Sequence, residues 1–177
     1  MDFDILKQQI ETAAKNAFLE MYEKYGAENI YSFALYSDEG AMTVCPSSNT
    51  LETLQNIDED DAPYYKYEPA EWTYEMKGAD DEFNTICTQL REELDRNEEN
   101  EEWFNEFQVK LYSTCIEVLE KLKNENFFKN IIGKDIFLIF TVSDYEFEKQ
   151  DLKDIISRLN DNEYKGEYLE WMETWCS

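Results

Sequence analysis

Apolar residues recur along this chain with two different periods, and these periods predict its elements. Five stretches follow the period of about 3.6 residues that is typical of an amphipathic helix. They span residues 2–25, 79–95, 102–124, 147–160 and 163–175. A short helix is also expected over 50–57, because capping side chains precede it at 46–49. The pattern therefore predicts five to six helices.

A β-hairpin is predicted over residues 30–45. Residues 30–37 are rich in β-branched and aromatic types, and 38–40 (Asp-Glu-Gly) form a turn signal. Residues 41–45 then return as the second strand. The polar residues that follow Cys45 are expected to end that strand.

Two further segments complete the predicted sheet. Residues 135–142 contain a continuous apolar run of strand formers, which predicts a central strand covered on both faces. Residues 64–74 show no helical period, so we expect a semi-extended segment that leads into a short strand near 72–75. The predicted fold is α+β, with a small, mainly antiparallel sheet in a single domain over 1–177.

The charge of the chain restricts its possible functions more than the hydrophobic pattern does. The 177 residues carry 41 Asp and Glu against 16 Lys and Arg, with no histidine and a formal net charge of -25. Such a surface repels nucleic acid and anionic membranes and attracts basic partners. The lack of histidine removes the commonest general base and metal ligand. We therefore expect a protein that is not an enzyme, with no cofactor and no metal.

The cysteines and the amino-terminal residues bear on localisation. The four cysteines are widely spaced and form no paired metal motif, so we expect small buried side chains. Residues 1–10 carry three charges and no apolar run, unlike a signal peptide. No stretch approaches the about 18 apolar residues of a membrane span. These features predict a cytoplasmic protein with reduced thiols.

An acidic junction between two predicted helices is the first candidate site. Eleven acidic residues and two arginines lie between Asp80 and Glu106. Four of the acidic residues are almost consecutive: Glu98, Glu99, Glu101 and Glu102. They could steer a basic protein onto this surface. The alternative is a solvated helix junction in a generally acidic protein.

An aromatic segment is the second candidate site. Residues 64–74 hold four tyrosines and one tryptophan, the side chains most enriched at binding hot spots. Tyr65, Tyr67 and Trp72 are the expected anchors for a partner. The alternative is that this segment buries its rings to attach itself to the sheet.

Two blocks of the chain resemble a known family. Residues 31–50 read YSFALYSDEGAMTVCPSSNT and residues 64–75 read YYKYEPAEWTYE. Both are similar to signatures of a bacterial family catalogued as domain of unknown function 4303. The resemblance implies a small cytosolic protein of the kind encoded beside bacterial polymorphic toxins, and so an immunity role. It implies no catalytic or binding residues.

Together these observations favour a cytosolic interaction protein, an immunity protein that binds and neutralises a basic toxin through an acidic face with aromatic anchors. It would be a monomer or a homodimer. One alternative is a structural or regulatory module whose acidity is incidental. Another is an enzyme that uses carboxylates, which would need a deep pocket where at least two of them converge.

Overall fold

The computed structural model describes residues 1–97, 99–143 and 147–175. This part of the chain forms seven helices and four strands. The helices are α1 (Phe3–Tyr25), α2 (Ala62–Tyr67), α3 (Asp80–Asp95), α4 (Glu101–Asn124), α5 (Phe127–Ile132), α6 (Lys149–Leu159) and α7 (Glu163–Glu173). The strands are β1 (Ile30–Asp38), β2 (Val44–Thr50), β3 (Tyr74–Glu75) and β4 (Phe137–Ser143).

The four strands form one mixed sheet in the order β3-β2-β1-β4. The β1–β2 hairpin and the β2–β3 pair are antiparallel, whereas β4 lies parallel to β1. A parallel pair needs a long crossover, and here the chain between β3 and β4 supplies three helices. The predicted α+β class and the hairpin are confirmed, with a sheet that is mixed.

Helices cover both faces of the sheet and create two cores. On one face, α1, α3 and α4 pack over β-strand side chains that include Phe33 and Phe140. On the other face, α2 and α7 pack over Tyr31, Phe137 and Ile139. The α6 helix borders the sheet and contributes residues to both cores. None of the helices in the described residues combines the length and apolar character that crossing a membrane requires.

The prediction that residues 135–142 form a central strand is wrong in one respect. β4 is buried on both faces, as expected, but it lies at the edge of the sheet. The residues of β4 are apolar because helices cover both of its faces. This pattern does not show whether β4 has a neighbouring strand on one side or on both.

The second strand continues where it was predicted to end. Residues 46–50 are part of β2, and the expected helix over 50–57 is reduced to a 3-10 turn at Glu52–Leu54. The carbonyl of Pro46 accepts a hydrogen bond from Met76 N (2.9 Å). The position of its missing N–H therefore also faces the end of the two-residue β3, and the strand tolerates a proline there. Two six-residue helices, α2 and α5, were not predicted.

One side chain replaces a neighbouring strand at the free edge of β4. The carboxamide of Asn160 accepts a hydrogen bond from Leu138 N (2.9 Å) and donates one to Leu138 O (2.7 Å). Asn160 is fully buried, directly after the end of α6. The backbone groups of Leu138 are therefore satisfied without an additional strand.

Replacing Asn160 with alanine is expected to lower the free energy of unfolding by about 2–4 kcal/mol, because each buried backbone group left unpaired costs about 1–3 kcal/mol. Urea denaturation measures the change. The matched control is Asn130→Ala on the exposed side of α5, expected within about 0.5 kcal/mol of the wild type. A loss for Asn160→Ala of less than about 1 kcal/mol would contradict this role.

Candidate functional site

Asparagine side chains organise the connection between α3 and α4. The Asn97 side chain donates to Glu93 O (2.9 Å) at the end of α3. The Asn100 side chain accepts from Trp103 N (3.0 Å) and thereby caps the start of α4. The end of α3 and the start of α4 are thus each satisfied by a side chain within a few residues.

The acidic residues predicted to steer a partner lie at this connection. Glu99, Glu101 and Glu102 are all exposed, and none of them forms an ion pair with any cation in the described residues. Glu98 lies outside the described residues. The two carboxylates at positions 101 and 102 fall in the first turn of α4, where the helix dipole favours negative charge.

Two of these carboxylates, Glu99 and Glu101, form the rim of an apolar groove, which we call the junction groove. Its volume is about 430 Å³. The residues that line it are Gly40, Met42, Leu94, Asp95, Asn97, Glu99, Asn100, Glu101, Trp103 and Phe104. Met42 is 47% exposed, so part of its apolar side chain is available to a partner. A neighbouring cavity of about 590 Å³ shares Asp95, Glu99 and Glu101.

The aromatic wall of the junction groove is held from the core. The Trp103 ring stacks on Phe107, with 4.8 Å between ring centroids and an interplanar angle of 19°. Phe107 is buried and meets Phe3 edge-on at 5.7 Å. Trp103 and Phe104 are themselves half-buried. The wall is therefore fixed in place while each ring keeps accessible area.

The opposite wall is the hairpin turn, and hydrogen bonds hold it against α4. Tyr112 Oη donates to Asp38 O (2.9 Å), and Gln108 Nε2 donates to Glu39 O (2.7 Å). Within the turn, the Asp38 carboxylate accepts from Met42 N (3.2 Å) and from the Thr43 hydroxyl. These contacts fix the separation of the two walls.

The few cations of the chain lie mostly elsewhere. On the face formed by α1, α4 and α6, Lys121 contacts Glu11 (2.6 Å) and Arg158 contacts Glu120 (2.6 Å). Burial raises the pKa of Glu11, but hydrogen bonds from Lys121 and Lys15 outweigh this effect and leave it below its ordinary value. At the junction, Arg96 is engaged by Glu93 at 2.9 Å. Part of the negative charge is thus neutralised on that face, whereas Glu99, Glu101 and Glu102 at the junction have no ion pair in the described residues.

Two of the three aromatic residues predicted as anchors, Tyr67 and Trp72, lie in the core on the other face of the sheet. Tyr67 and Trp72 are each 3% exposed, so neither offers area to a partner in this structure. Tyr67 Oη donates to Glu167 Oε2 (2.6 Å), and Trp72 Nε1 donates to Lys66 O (3.2 Å). Tyr65 is half-buried beside Tyr64.

The predicted acidic and aromatic residues are therefore not brought together. Tyr67 and Trp72 belong to the core under α7, whereas the described acidic residues lie at the start of α4, a helix of the opposite core. Burial and a hydrogen bond to Glu167 also raise the pKa of Tyr67, as expected for a structural phenol. The rings near the carboxylates are Trp103 and Phe104, which the pattern did not single out for binding, although they follow Glu101 and Glu102 directly.

A third cavity is relevant to the alternative that the chain is an enzyme that uses carboxylates. It has a volume of about 330 Å³ and contains two acidic residues, Asp135 and Asp161. Each is paired with a lysine: Lys129 with Asp135 (2.9 Å) and Lys123 with Asp161 (2.5 Å). The hydrogen bond from Lys123 lowers the pKa of Asp161, so this carboxyl is unsuited to act as a general acid near neutral pH. No group of three metal-ligating side chains occurs in the described residues.

Comparison with known proteins assigns the chain to a family. A family model described as "Domain of unknown function (DUF4303)" matches residues 10–161, and the chain belongs to this family. The earlier resemblance is thereby confirmed. No curated protein and no solved structure shows a significant match to the chain.

The buried position of Trp72 leads to a prediction about stability. Trp72→Ala is expected to lower the free energy of unfolding by about 3–5 kcal/mol, because it leaves a large cavity in the core. Tyr65→Ala, on the neighbouring helix α2, serves as the control and is expected to lose about 1 kcal/mol. Guanidinium denaturation measures both. A Trp72 variant as stable as the wild type would show that this ring is not part of the core.

Proposed function

We propose that this chain is a non-enzymatic cytoplasmic interaction protein that binds a basic protein partner in the junction groove. The observation that carries the proposal is the combination of apolar walls with a rim of unpaired carboxylates. Met42, Trp103 and Phe104 supply the apolar area, and Glu99 and Glu101 supply the rim. An apolar centre with a charged border is the usual anatomy of a protein interface.

The carboxylates act before contact. With a net charge of -25, the whole molecule attracts cations, and the unpaired rim directs them toward the groove. Steering of this kind raises association rates from about 10⁵–10⁶ M⁻¹s⁻¹ toward about 10⁸ M⁻¹s⁻¹ at low salt. Individual exposed pairs add little affinity, about 0–1 kcal/mol each.

The apolar walls act after contact. A partner side chain that enters the groove covers the rings of Trp103 and Phe104 and the side chain of Met42. Each square ångström of apolar surface removed from water contributes about 25 cal/mol, so these rings rather than the rim set the dissociation rate. Because the turn and α4 are already tied together, little ordering is needed on binding.

We further propose that the partner is a basic toxin and that this chain acts as its immunity protein. A toxin that attacks nucleic acid must present cations to phosphate groups. Closely spaced carboxylates at the junction would compete for those cations and cover that surface. The charge of the chain supports this assignment, and so does the resemblance of its two signature blocks to proteins encoded beside toxins.

Neutralising the rim together with the adjacent Glu102 is expected to slow association with a cationic apolar probe. The variant Glu99→Gln, Glu101→Gln, Glu102→Gln should bind a peptide of alternating lysine and leucine about tenfold more slowly at low salt than the wild type, because long-range attraction to the groove is weakened. Stopped-flow tryptophan fluorescence at several salt concentrations measures the rate.

A charge-matched control separates steering from overall charge. The variant Asp58→Asn, Glu59→Gln, Asp60→Asn removes the same charge from an exposed loop and is expected to change the rate by less than about twofold. A wild-type rate that does not depend on salt, or equal losses in the two variants, would contradict the proposal.

A further inference from the structure

Trp103 gives the junction groove a flat wall that suits a cation as well as an apolar group. Its indole ring is half-buried and lines the groove. Phe107 stacks on one face of the ring at an interplanar angle of 19°, so the accessible area of Trp103 belongs to its other face and its edges. The face of an aromatic ring is electrostatically negative, and tryptophan attracts cations more strongly than phenylalanine or tyrosine does.

Three carboxylates share the groove with this ring, those of Asp95, Glu99 and Glu101. All three residues are exposed, and none forms an ion pair in the part of the chain that the structure describes. Arg96 follows Asp95 directly, but its guanidinium is held by Glu93 at 2.9 Å. The carboxylates of the groove are therefore open to donors from another molecule.

We propose that the junction groove binds an arginine side chain of the basic partner. The guanidinium stacks on Trp103, and its N–H groups donate to the carboxylates of Asp95, Glu99 and Glu101. This inference rests on the proposed function and specifies the side chain that the partner inserts.

The chemistry of the groove favours arginine over lysine. A guanidinium is planar and weakly hydrated, so it can lie flat on an aromatic ring while the N–H groups at its edge remain free to donate. A carboxylate can accept two parallel hydrogen bonds from such a group. An ammonium is a compact, strongly hydrated charge, and it therefore loses more hydration when it enters a groove with apolar walls.

The remaining walls fit the stem of an arginine. Its methylene groups can lie along apolar surface while the charged end stays among polar groups. Met42, Leu94 and Phe104 supply such surface in the groove. The volume of about 430 Å³ lies within the range of about 300–1,000 Å³ that small-ligand sites occupy. The groove is therefore large enough for one extended side chain and its adjoining backbone.

Three peptides of equal length test this inference on the purified full chain. They alternate leucine with arginine, with lysine or with citrulline, which has the planar shape of arginine without its charge. Isothermal titration calorimetry at physiological salt is expected to show about tenfold tighter binding of the arginine peptide than of the lysine peptide. The citrulline peptide should bind more weakly than either, because the carboxylates do not attract a neutral side chain.

Two tryptophan variants locate the preference for arginine. Trp103→Leu keeps an apolar side chain in the groove but removes the ring, so the ratio of the two affinities should fall from about tenfold to below about twofold. Trp171→Leu is the matched control, because Trp171 is also half-buried and stacks on a buried ring, that of Tyr67. It lies in the core under α7, and its variant should leave the ratio unchanged.

The wild type gives a second readout, which decides if Trp103→Leu does not fold. On titration with the arginine peptide, the indole N–H signal of Trp103 in the proton–nitrogen correlation spectrum should shift more than that of Trp171. A larger shift at Trp171, or a ratio that persists in Trp103→Leu, would overturn the inference.

The peptides also separate this inference from the proposed function. Equal affinities for the arginine and lysine peptides, with association that still depends on salt, would overturn the arginine site and leave the proposed function intact. Failure of both peptides to bind would contradict both.

Discussion

The scarcity of cations is the constraint on which the surface of this protein depends. The chain has 41 acidic residues but only 16 lysines and arginines, so most carboxylates cannot form an ion pair with a cation of their own. The ion pairs of Lys7 with Glu117, Lys121 with Glu11 and Arg158 with Glu120 join α4 to α1 and α6. Each contributes only about 0–1 kcal/mol to stability. Their larger effect is on the charge pattern, because they occupy cations that are then not available to Glu99, Glu101 and Glu102 at the α3–α4 junction.

The apolar architecture determines where this excess charge lies beside partly exposed apolar side chains. Helices cover both faces of the sheet, so the charged side chains are confined to the outer helix surfaces and to the connections. The junction is the place where such a connection meets apolar side chains that are only partly covered. Because Tyr112 and Gln108 bind the hairpin turn, the start of α4 and the turn present one preformed surface. A carboxylate rim and an apolar wall are therefore consequences of the same packing.

The long helices could be predicted from the sequence, whereas the sheet edge could not. A stripe of apolar residues fixes α1 and α4 to within one residue at each end, since burial repeats over many turns. The six-residue α2 is too short to show a period, and Pro46 suggests a strand end unless the short β3 is known. Nor does the sequence reveal that Asn160 covers β4, because that contact depends on how α6 packs.

The candidate site could be predicted only in part, because contacts that depend on packing are not visible in the sequence. The acidic run at 98–102 is visible in the sequence, and its described members are exposed. Composition cannot show which aromatic residues accompany it, because an exposed ring and a buried ring look alike in a sequence. Tyr67 and Trp72 fill the core under α7, whereas Trp103 is left at the surface by its stacking on Phe107.

The central claim is that negative potential is concentrated at the junction groove rather than spread evenly. Paramagnetic relaxation by cationic and neutral nitroxides, compared at each backbone amide, measures this potential directly. The account predicts a much stronger preference for the cationic nitroxide along residues 99–106 than along the ion-paired face of α1 and α6. Equal preferences on the two surfaces would contradict it.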